Sequence, residues 1–248
     1  MMKKILIPLF LLLILFSSCK QKQYELKSLE GQMILMDETF DTNKDPVADS
    51  IFNFYKVYAA SIMDSVIGYN KVFMDKGLRE ESLLGNFAAD VVAVIAEEIF
   101  DTKIDMGLMN RGGLRTSLPQ GKITLGDVYK VFPFENYLSV IEITGKDLRE
   151  QLEVFAKTNV QCVSRIKLTI KDKKLVNAII DGKPIDDTKI YKIATIDFIA
   201  EGNDNMKVLK NAISRTDSPV LIREAIAQYV YDNSPIDAKK DGRVVVLN

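Results

Sequence analysis

The chain has 248 residues, of which 47% are hydrophobic and 27% are charged, a balance typical of a globular protein. Its 33 basic and 34 acidic residues give a formal net charge of −1, which argues against a nucleic-acid polymer as partner. The sequence has no histidine, and this excludes Ser-His-Asp catalysis and the zinc or two-metal centres that depend on imidazole ligands.

The start of the chain has the pattern of a bacterial export signal. Lys3 and Lys4 precede an apolar run over residues 5–16, and two serines then precede Cys19. The run is too short for a comfortable transmembrane helix. Because the cysteine resembles the lipobox of bacterial lipoproteins, we expect a signal peptide over residues 1–18 and lipid attachment at Cys19. The protein is then anchored to a bacterial membrane in the cell envelope, periplasmic or surface-facing. A plain signal peptide that leaves Cys19 unmodified or removes it is the alternative.

Hydrophobic periodicity predicts a mixture of helices and strands. In the first predicted helix, over residues 48–67, the apolar positions that recur at three- and four-residue steps are Ile51, Phe54, Tyr55, Tyr58, Ile62 and Val66. Further helices are predicted over residues 83–100, 124–131, 144–156 and 218–231. Strands are predicted over residues 32–36, 71–74, 104–109, 138–143, 166–170, 175–180, 191–196 and 243–247. Because the two types do not strictly alternate, an α+β or layered α/β/β/α arrangement fits better than a doubly wound sheet.

Residues 105–116, with the sequence DMGLMNRGGLRT, place a short strand before a glycine turn. Gly112 and Gly113 are expected to let the backbone turn through positive φ and to approach a ligand closely. Asn110 and Arg115 flank the turn with an amide and a guanidinium group, which suit planar polar or anionic partners. On these residues alone, an ordinary strand-to-loop turn with a surface arginine is an equal alternative.

Two phenylalanines occupy polar loops. Phe134 and Phe198 could hold a heterocyclic base between their faces, and the alternative is that both pack into the core. Asp204 suits a pair of vicinal hydroxyls, with a simple turn residue as the alternative. Arg79 could add positive charge for a phosphate, or be a solvated surface arginine. These loops therefore offer the parts of a nucleotide pocket.

Four motifs follow one another along the chain: ESLLGNFAADV at 81–91, NRGGLR at 110–115, PFEN at 133–136 and DFIAEGND at 197–204. They resemble, in order, the ES-x-x-GN-x-x-AD, NGGGIR, PFGN and NFLANGGD motifs of the C-terminal, substrate-binding domain of the 5′-nucleotidase family. The resemblance runs over residues 47–248 and implies that domain's layered α/β/β/α fold. It leaves residues 19–46 as the lipidated cysteine, tether and linker.

The resemblance also implies roles for individual residues in a nucleotide pocket. It places the base between Phe134 and Phe198 and the phosphate near Arg115. The residues it assigns to the pocket are Asn110, Gly112, Gly113, Arg115, Phe134, Asn136 at the base, Phe198, Asp204 at the ribose hydroxyls, and Arg79.

Three departures from the family pattern put parts of this pocket in doubt. Arg111 replaces the first glycine of NGGGIR, which is expected to alter the turn or to add charge near the phosphate. Asn203 replaces the second glycine of the family's GGD, which could displace Asp204. Arg79 stands one position away from the family's phosphate-side arginine, where this chain has Leu78.

Family enzymes also carry a preceding metallophosphoesterase domain with two metal ions on Asp, Asn and His ligands. A chain without histidine cannot contain that domain, and although an all-carboxylate Mg²⁺ or Ca²⁺ site stays open, no EF-hand spacing supports one. We therefore expect the nucleotide-binding half of a split 5′-nucleotidase, inactive alone, without a cofactor, and with divalent metals only on a separate metallophosphoesterase. A stand-alone nucleoside- or nucleotide-binding lipoprotein for scavenging or sensing, or a degenerate scaffold domain, is the alternative.

Overall fold

A computed structural model describes residues 24–35, 37–39, 45–77 and 81–247. Cys19, the expected export signal and Arg79 lie outside these residues. The chain divides into two units, residues 1–50 and residues 51–248. In the first unit, residues 24–35 form neither helix nor strand, so the strand predicted at 32–36 is wrong over the part that is described.

Helices and short 3₁₀ turns alternate irregularly with strands. The helices are α1 (Pro46–Met63), α2 (Leu83–Phe100), α3 (Leu125–Val131), α4 (Gly145–Lys157), α5 (Asp197–Ala200) and α6 (Ile222–Asp232), and 3₁₀ turns cover Arg111–Gly113 and Lys207–Asn211. Side-chain caps stabilise the start of two of these helices: the Ser82 hydroxyl caps α2, and Thr124 with Asp127 forms a capping box at α3. Among the residues that the structure describes, no helix combines the length and apolar character that a membrane span requires.

The strands form three sheets. They are β1 (Val66–Asn70), β2 (Met106–Met109), β3 (Gly121–Thr124), β4 (Tyr137–Thr144), β5 (Cys162–Ser164), β6 (Ile166–Lys171), β7 (Lys174–Ile180), β8 (Lys183–Pro184), β9 (Ile190–Ile196), β10 (Ser214–Leu221) and β11 (Val244–Leu247). A five-stranded sheet has the order β10-β4-β9-β2-β5, a four-stranded sheet the order β11-β6-β7-β8, and β1 pairs with β3. Parallel and antiparallel neighbours occur together, which confirms the predicted α+β class.

Helix α2 packs on the five-stranded sheet and forms the centre of the core. Its buried apolar side is made of Leu84, Phe87, Ala88, Ala89, Val91, Val92, Ala93, Ile95 and Ala96. The helix approaches β2 so closely that a Cβ on Gly107 would lie 2.2 Å from the Ala89 carbonyl oxygen. Ser164 Oγ donates a hydrogen bond to that carbonyl and accepts one from the Gly107 amide. This contact fixes β2, and with it the residues that follow the strand.

The first helix is shorter in the structure than in the prediction. It ends at Met63, because Val66–Asn70 pairs with β3 as an antiparallel strand. Gly68 is a strand residue there, and a Cβ at this position would lie 2.9 Å from Val230. The strand predicted over 71–74 is reduced to one bridge at Met74. Inter-strand pairing overrode the helical pattern.

The helix predicted to begin at Ser218 begins instead at Ile222. Residues 214–221 are β10, at the edge of the five-stranded sheet, and their pairing with β4 is irregular between Asp217 and Leu221. Pro219 has no N–H to donate and is tolerated at an irregular sheet edge as well as at a helix start. The proline signal was therefore compatible with both assignments.

Candidate functional site

A cavity of about 280 Å³ lies where the loops after β2, before β4 and after β9 meet. This volume is close to the lower end of the range for small-molecule sites. Its lining residues are Asn110, Gly112, Gly113, Arg115, Phe134, Asn136, Phe198 and Asp204. Eight of the nine predicted site residues thus surround one space, and the ninth, Arg79, lies outside the described residues.

The glycine turn after β2 is tight. The carbonyl of Asn110 accepts a hydrogen bond from the Gly113 amide, and that of Arg111 accepts one from Leu114, both at 3.1 Å. Neither Gly112 nor Gly113 has a positive φ, so the expected conformational reason for the pair is wrong. The reason is space: a Cβ on Gly113 would lie 2.6 Å from Asn110 Oδ1, and a Cβ on Gly112 would lie 3.3 Å from Asp204 Oδ2.

The buried side chain of Asn110 joins two loops that are far apart in sequence. Its Nδ2 donates a hydrogen bond of 2.5 Å to Asp204 Oδ2. Its Oδ1 is buried and has no hydrogen-bond partner among the described residues. A buried amide oxygen without a partner costs about 1–3 kcal/mol, which a donor on a bound molecule would offset. Asn110 therefore orients the carboxylate of Asp204, and its Oδ1 remains available to accept a hydrogen bond from a bound molecule.

Asn203 does not move Asp204 out of the cavity. Its Nδ2 donates a hydrogen bond of 2.9 Å to the carbonyl of Phe198 and so ties the loop to α5. Asp204 and Asn205 adopt left-handed φ values of 55° and 64°, which Asp and Asn tolerate better than most residues. Gln151 Nε2, fully buried on α4, donates to the Asn205 carbonyl at 3.1 Å. Sequence reasoning missed Gln151, which no motif contains.

Arg111 does not line the cavity. Its Nε donates to the Val160 carbonyl at 2.6 Å and its Nη1 to the Lys76 carbonyl at 3.2 Å, while its amide donates to Gln161 Oε1. The expectation of extra positive charge near a phosphate is therefore not met. The arginine in place of the family's first glycine holds neighbouring segments instead.

Phe134 and Phe198 both line the cavity and are 48% and 39% exposed. The alternative that they pack into the core is therefore wrong, but Phe198 lies in helix α5 and not in the predicted polar loop. The guanidinium carbon of Arg115 lies 5.9 Å from the ring centroid of Phe134. Arg115 also donates from Nη1 to the carbonyl of Gly112 at 3.3 Å. A cation thus sits beside one aromatic face at the rim of the cavity.

Arg223 at the start of α6 braces the loop that carries Phe134 and Asn136. Its Nη1 donates to the Pro133 carbonyl at 3.3 Å, and its Nη2 donates to Glu135 Oε1 at 2.8 Å. The guanidinium lies 4.9 Å from the ring centroid of Tyr129. Glu135 stands where the family motif has glycine, and this departure was the one signal in the sequence for such a brace.

The first motif lies outside the cavity and fastens the C-terminal segment to α2. The carboxylate of Glu81 accepts hydrogen bonds from Asn86 Nδ2 and from the amides of Asp241 and Gly242. The carboxylate of Asp90 accepts two from Arg243, at 2.7 and 3.0 Å. This motif is therefore structural.

The cavity does not offer the ligands of a metal centre. Among the residues that the structure describes, no group of three or more His, Cys, Asp or Glu side chains is placed to hold a metal ion. The cavity lining includes a single carboxylate, that of Asp204, and Asn110 already occupies one of its oxygens. The arrangement can bind and orient a polar aromatic molecule.

Comparisons with known proteins find relatives among nucleotidases. A 5′-nucleotidase of Vibrio cholerae is 31% identical over 143 residues, which are 56% of this chain and 26% of that protein. The trifunctional nucleotide phosphoesterase protein YfkN of Bacillus subtilis is 28% identical over 226 residues, covering 82% of this chain and 15% of the relative. A 5′-nucleotidase precursor from Thermus thermophilus has a similar crystal structure, with a TM-score of 0.74 and 28% identity over 82% of this chain and 43% of that one.

The chain spans about a quarter or less of the length of these curated relatives. The model of the family described as 5′-nucleotidase, C-terminal domain, matches residues 66–211, which contain all four sequence motifs. The chain therefore belongs to the 5′-nucleotidase C-terminal domain family.

Proposed function

We propose that this chain is the nucleotide-binding half of a split 5′-nucleotidase and that a separate metallophosphoesterase supplies the metal centre. The observation that carries the proposal is a single cavity lined by two half-exposed phenylalanines, a positioned carboxylate and an arginine. Each of these groups matches one part of a nucleotide, and the relatives named above are nucleotidases or nucleotide phosphoesterases.

In this proposal the base stacks between Phe134 and Phe198, which contributes about 1–3 kcal/mol per stacked base. Asp204, held by Asn110, accepts the ribose hydroxyls. Asn136 contacts the edge of the base. The guanidinium of Arg115 attracts the phosphate at the rim, and charge-assisted hydrogen bonds of this kind are stronger than neutral ones.

The chemical step belongs to the partner. The 248 residues contain no histidine, and the described part of the chain offers no cluster of metal ligands. The role of this chain is then to hold the nucleotide so that its phosphate meets the partner's metals, and it contributes orientation rather than bond cleavage. We further propose that Cys19 carries a lipid that anchors the protein in the bacterial cell envelope.

A stand-alone nucleoside- or nucleotide-binding lipoprotein is the second possible function. It is favoured by the composition of the cavity, since the groups proposed to contact the base, the ribose and the phosphate all come from one chain. This function requires binding but no enzymatic partner.

Calorimetric titration with AMP and adenosine tests both functions. We expect heat of binding for the wild type and a loss of at least about 30-fold in affinity for Phe134→Ala/Phe198→Ala, because two stacking contacts are removed. Absence of binding heat for the wild type would contradict both proposed functions. AMP hydrolysis is then measured for a purified metallophosphoesterase from the same organism with and without this chain, and a gain on mixing distinguishes the split enzyme from the binding protein.

A further inference from the structure

The apolar stripe along one side of α1 does not pack against the rest of its own unit. Within the second unit the stripe consists of Ile51, Phe54, Tyr55, Tyr58 and Ile62, at the three- and four-residue steps that place side chains on one side of a helix. These five side chains are between 42% and 74% exposed, and no residue of α1 is buried. The apolar positions on which the prediction of this helix rests are therefore exposed.

The other side of α1 faces its own domain. Ala60 and Met63 are partly buried, and the Met63 carbonyl oxygen lies 3.0 Å from where a Cβ on Gly126 would stand. The stripe therefore points away from the body to which the helix is attached. Within the stripe, the rings of Phe54 and Tyr55 are already packed edge-to-face, with their centroids 5.4 Å apart.

We propose that this stripe is a self-association surface, and that it pairs with the same stripe of a second copy of the chain. The charges of α1 support a like partner. Lys56, the charged residue that α1 contributes to the second unit, lies on the opposite side of the helix, so the stripe is uncharged and meets its own copy without like-charge repulsion. A membrane surface fits less well, because helices that lie on lipid carry several lysines or arginines on their polar side.

The exposed area also fits a pair of copies. Three aromatic and two isoleucine side chains expose on the order of 500 Å² per copy, so two stripes together cover roughly 1,000 Å². That total is near the lower limit for a specific interface, so we expect a weak and reversible dimer. The surface is separate from the nucleotide cavity, since no stripe residue lines it.

Sedimentation equilibrium of the purified protein, from about 1 to 300 µM, tests the proposal. We expect a reversible dimer for the wild type and at least about 100-fold weaker association for Phe54→Ser/Tyr58→Ser, because each lost aromatic contact occurs twice in a two-fold interface. The control Val57→Ser changes a residue of the same helix that is 72% exposed outside the stripe, and it should dimerise like the wild type.

A wild type that stays monomeric over this range overturns the proposal, as does a stripe variant that dimerises normally or a control that is equally impaired. Monomeric protein that floats with phosphatidylcholine or phosphatidylglycerol vesicles in a stripe-dependent way would assign the surface to lipid instead. Circular dichroism melting checks that the variants fold. Adenosine titration of the same variants should be unchanged, so a failed dimer leaves the nucleotide proposal intact.

Discussion

The amide of Asn110 sets the shape of the cavity at the scale of single residues. Its nitrogen holds Asp204, and its oxygen stands so close to the turn that a Cβ at position 113 would force the Asn110 side chain to move. The sequence alone indicated that two glycines were needed but suggested the wrong reason, because a positive φ and a lack of space select the same residue type. Distances between atoms were needed to separate the two.

Gly113→Ala is therefore expected to weaken adenosine binding by about tenfold. The new methyl group would push Asn110 away from Asp204, and a lost charge-assisted hydrogen bond of this kind is worth about 1.5–3 kcal/mol. Titration calorimetry measures the effect. Gly31→Ala is the matched control, since nothing lies within 4 Å of a Cβ at that position. Equal affinities of the two variants would contradict the role given to Asn110.

Arg111 and Asn203 show that a substitution in a motif need not damage the site. The Arg111 side chain has its hydrogen-bond partners outside the cavity, Asn203 donates to the carbonyl of Phe198, and the cavity keeps its eight lining residues. The sequence identified the departures, but the direction in which a long side chain turns depends on backbone carbonyls contributed by other segments.

At the scale of elements, the loop that carries Phe134 and the loop that carries Asp204 are supported from helices elsewhere in the chain. Arg223 on α6 holds the loop of Phe134, and Gln151 on α4 holds the loop of Asp204. Such supports are invisible to local pattern, because the residues they connect are far apart in sequence. They hold the pocket groups in place before a ligand arrives.

Arg223→Met is expected to lower adenosine affinity about five- to tenfold, since the freed loop must be ordered again on binding. A double-mutant cycle with Glu135→Gly should show coupling between the two residues of about 0.5–1 kcal/mol. Arg149→Met serves as the control, because Arg149 forms a similar ion pair with Asp187 that is not part of the cavity lining. Additive effects of the Arg223 and Glu135 changes would exclude the brace.

A second inter-element contact predicts the response to acid. Hydrogen bonds from Arg165 to Glu97 on α2 lower the pKa of Glu97 from 4.5 to about 2. Because the pKa is depressed in the folded state, the stabilising contribution is present above about pH 4.5 and is lost as the pH falls through 2. Both side chains are about one-third exposed, so the contribution is at most about 1 kcal/mol.

Urea unfolding of Arg165→Met and the wild type at several pH values measures this contribution. We expect the difference in unfolding free energy between the two proteins to be largest at pH 6 and to decrease as the pH falls through 2, where the part due to the hydrogen bond from Arg165 Nη1 to the Ile104 carbonyl remains. Lys103→Met, which removes an ion pair with both side chains at least 70% exposed, should show no such difference. A difference for Arg165→Met that does not depend on pH would contradict the assignment.

At the scale of the whole molecule, binding in the cavity should stabilise the fold, because a ligand that binds the native state alone shifts the unfolding equilibrium. At an adenosine concentration 100-fold above the dissociation constant, the unfolding free energy rises by about 2.7 kcal/mol. This corresponds to an increase of roughly 5–10 °C in Tm for a domain of this size. Differential scanning calorimetry measures it, and Phe134→Ala/Phe198→Ala should lose the increase. Stabilisation of that variant to the same extent would place the ligand elsewhere.

The sequence by itself determined the family, the α+β class and the residues that surround the cavity. It could do so because the pocket groups lie in three short ordered motifs, and because helix periodicity and caps such as those of α2 and α3 are local properties. The start of α6 and the end of α1 were misplaced, since a proline at an irregular sheet edge and strand pairing of β1 with β3 are decided by distant partners.

Only the tertiary structure decided what each side chain contacts. It turned Arg111 away from the cavity, placed Arg223 and Gln151 behind the two loops, and left the stripe of α1 uncovered. The physical reason is the same in each case. Hydrophobic periodicity indicates which side of a helix or strand is apolar, and a motif indicates which side chains are present. The residues that these side chains contact come from distant parts of the chain, which neither pattern contains.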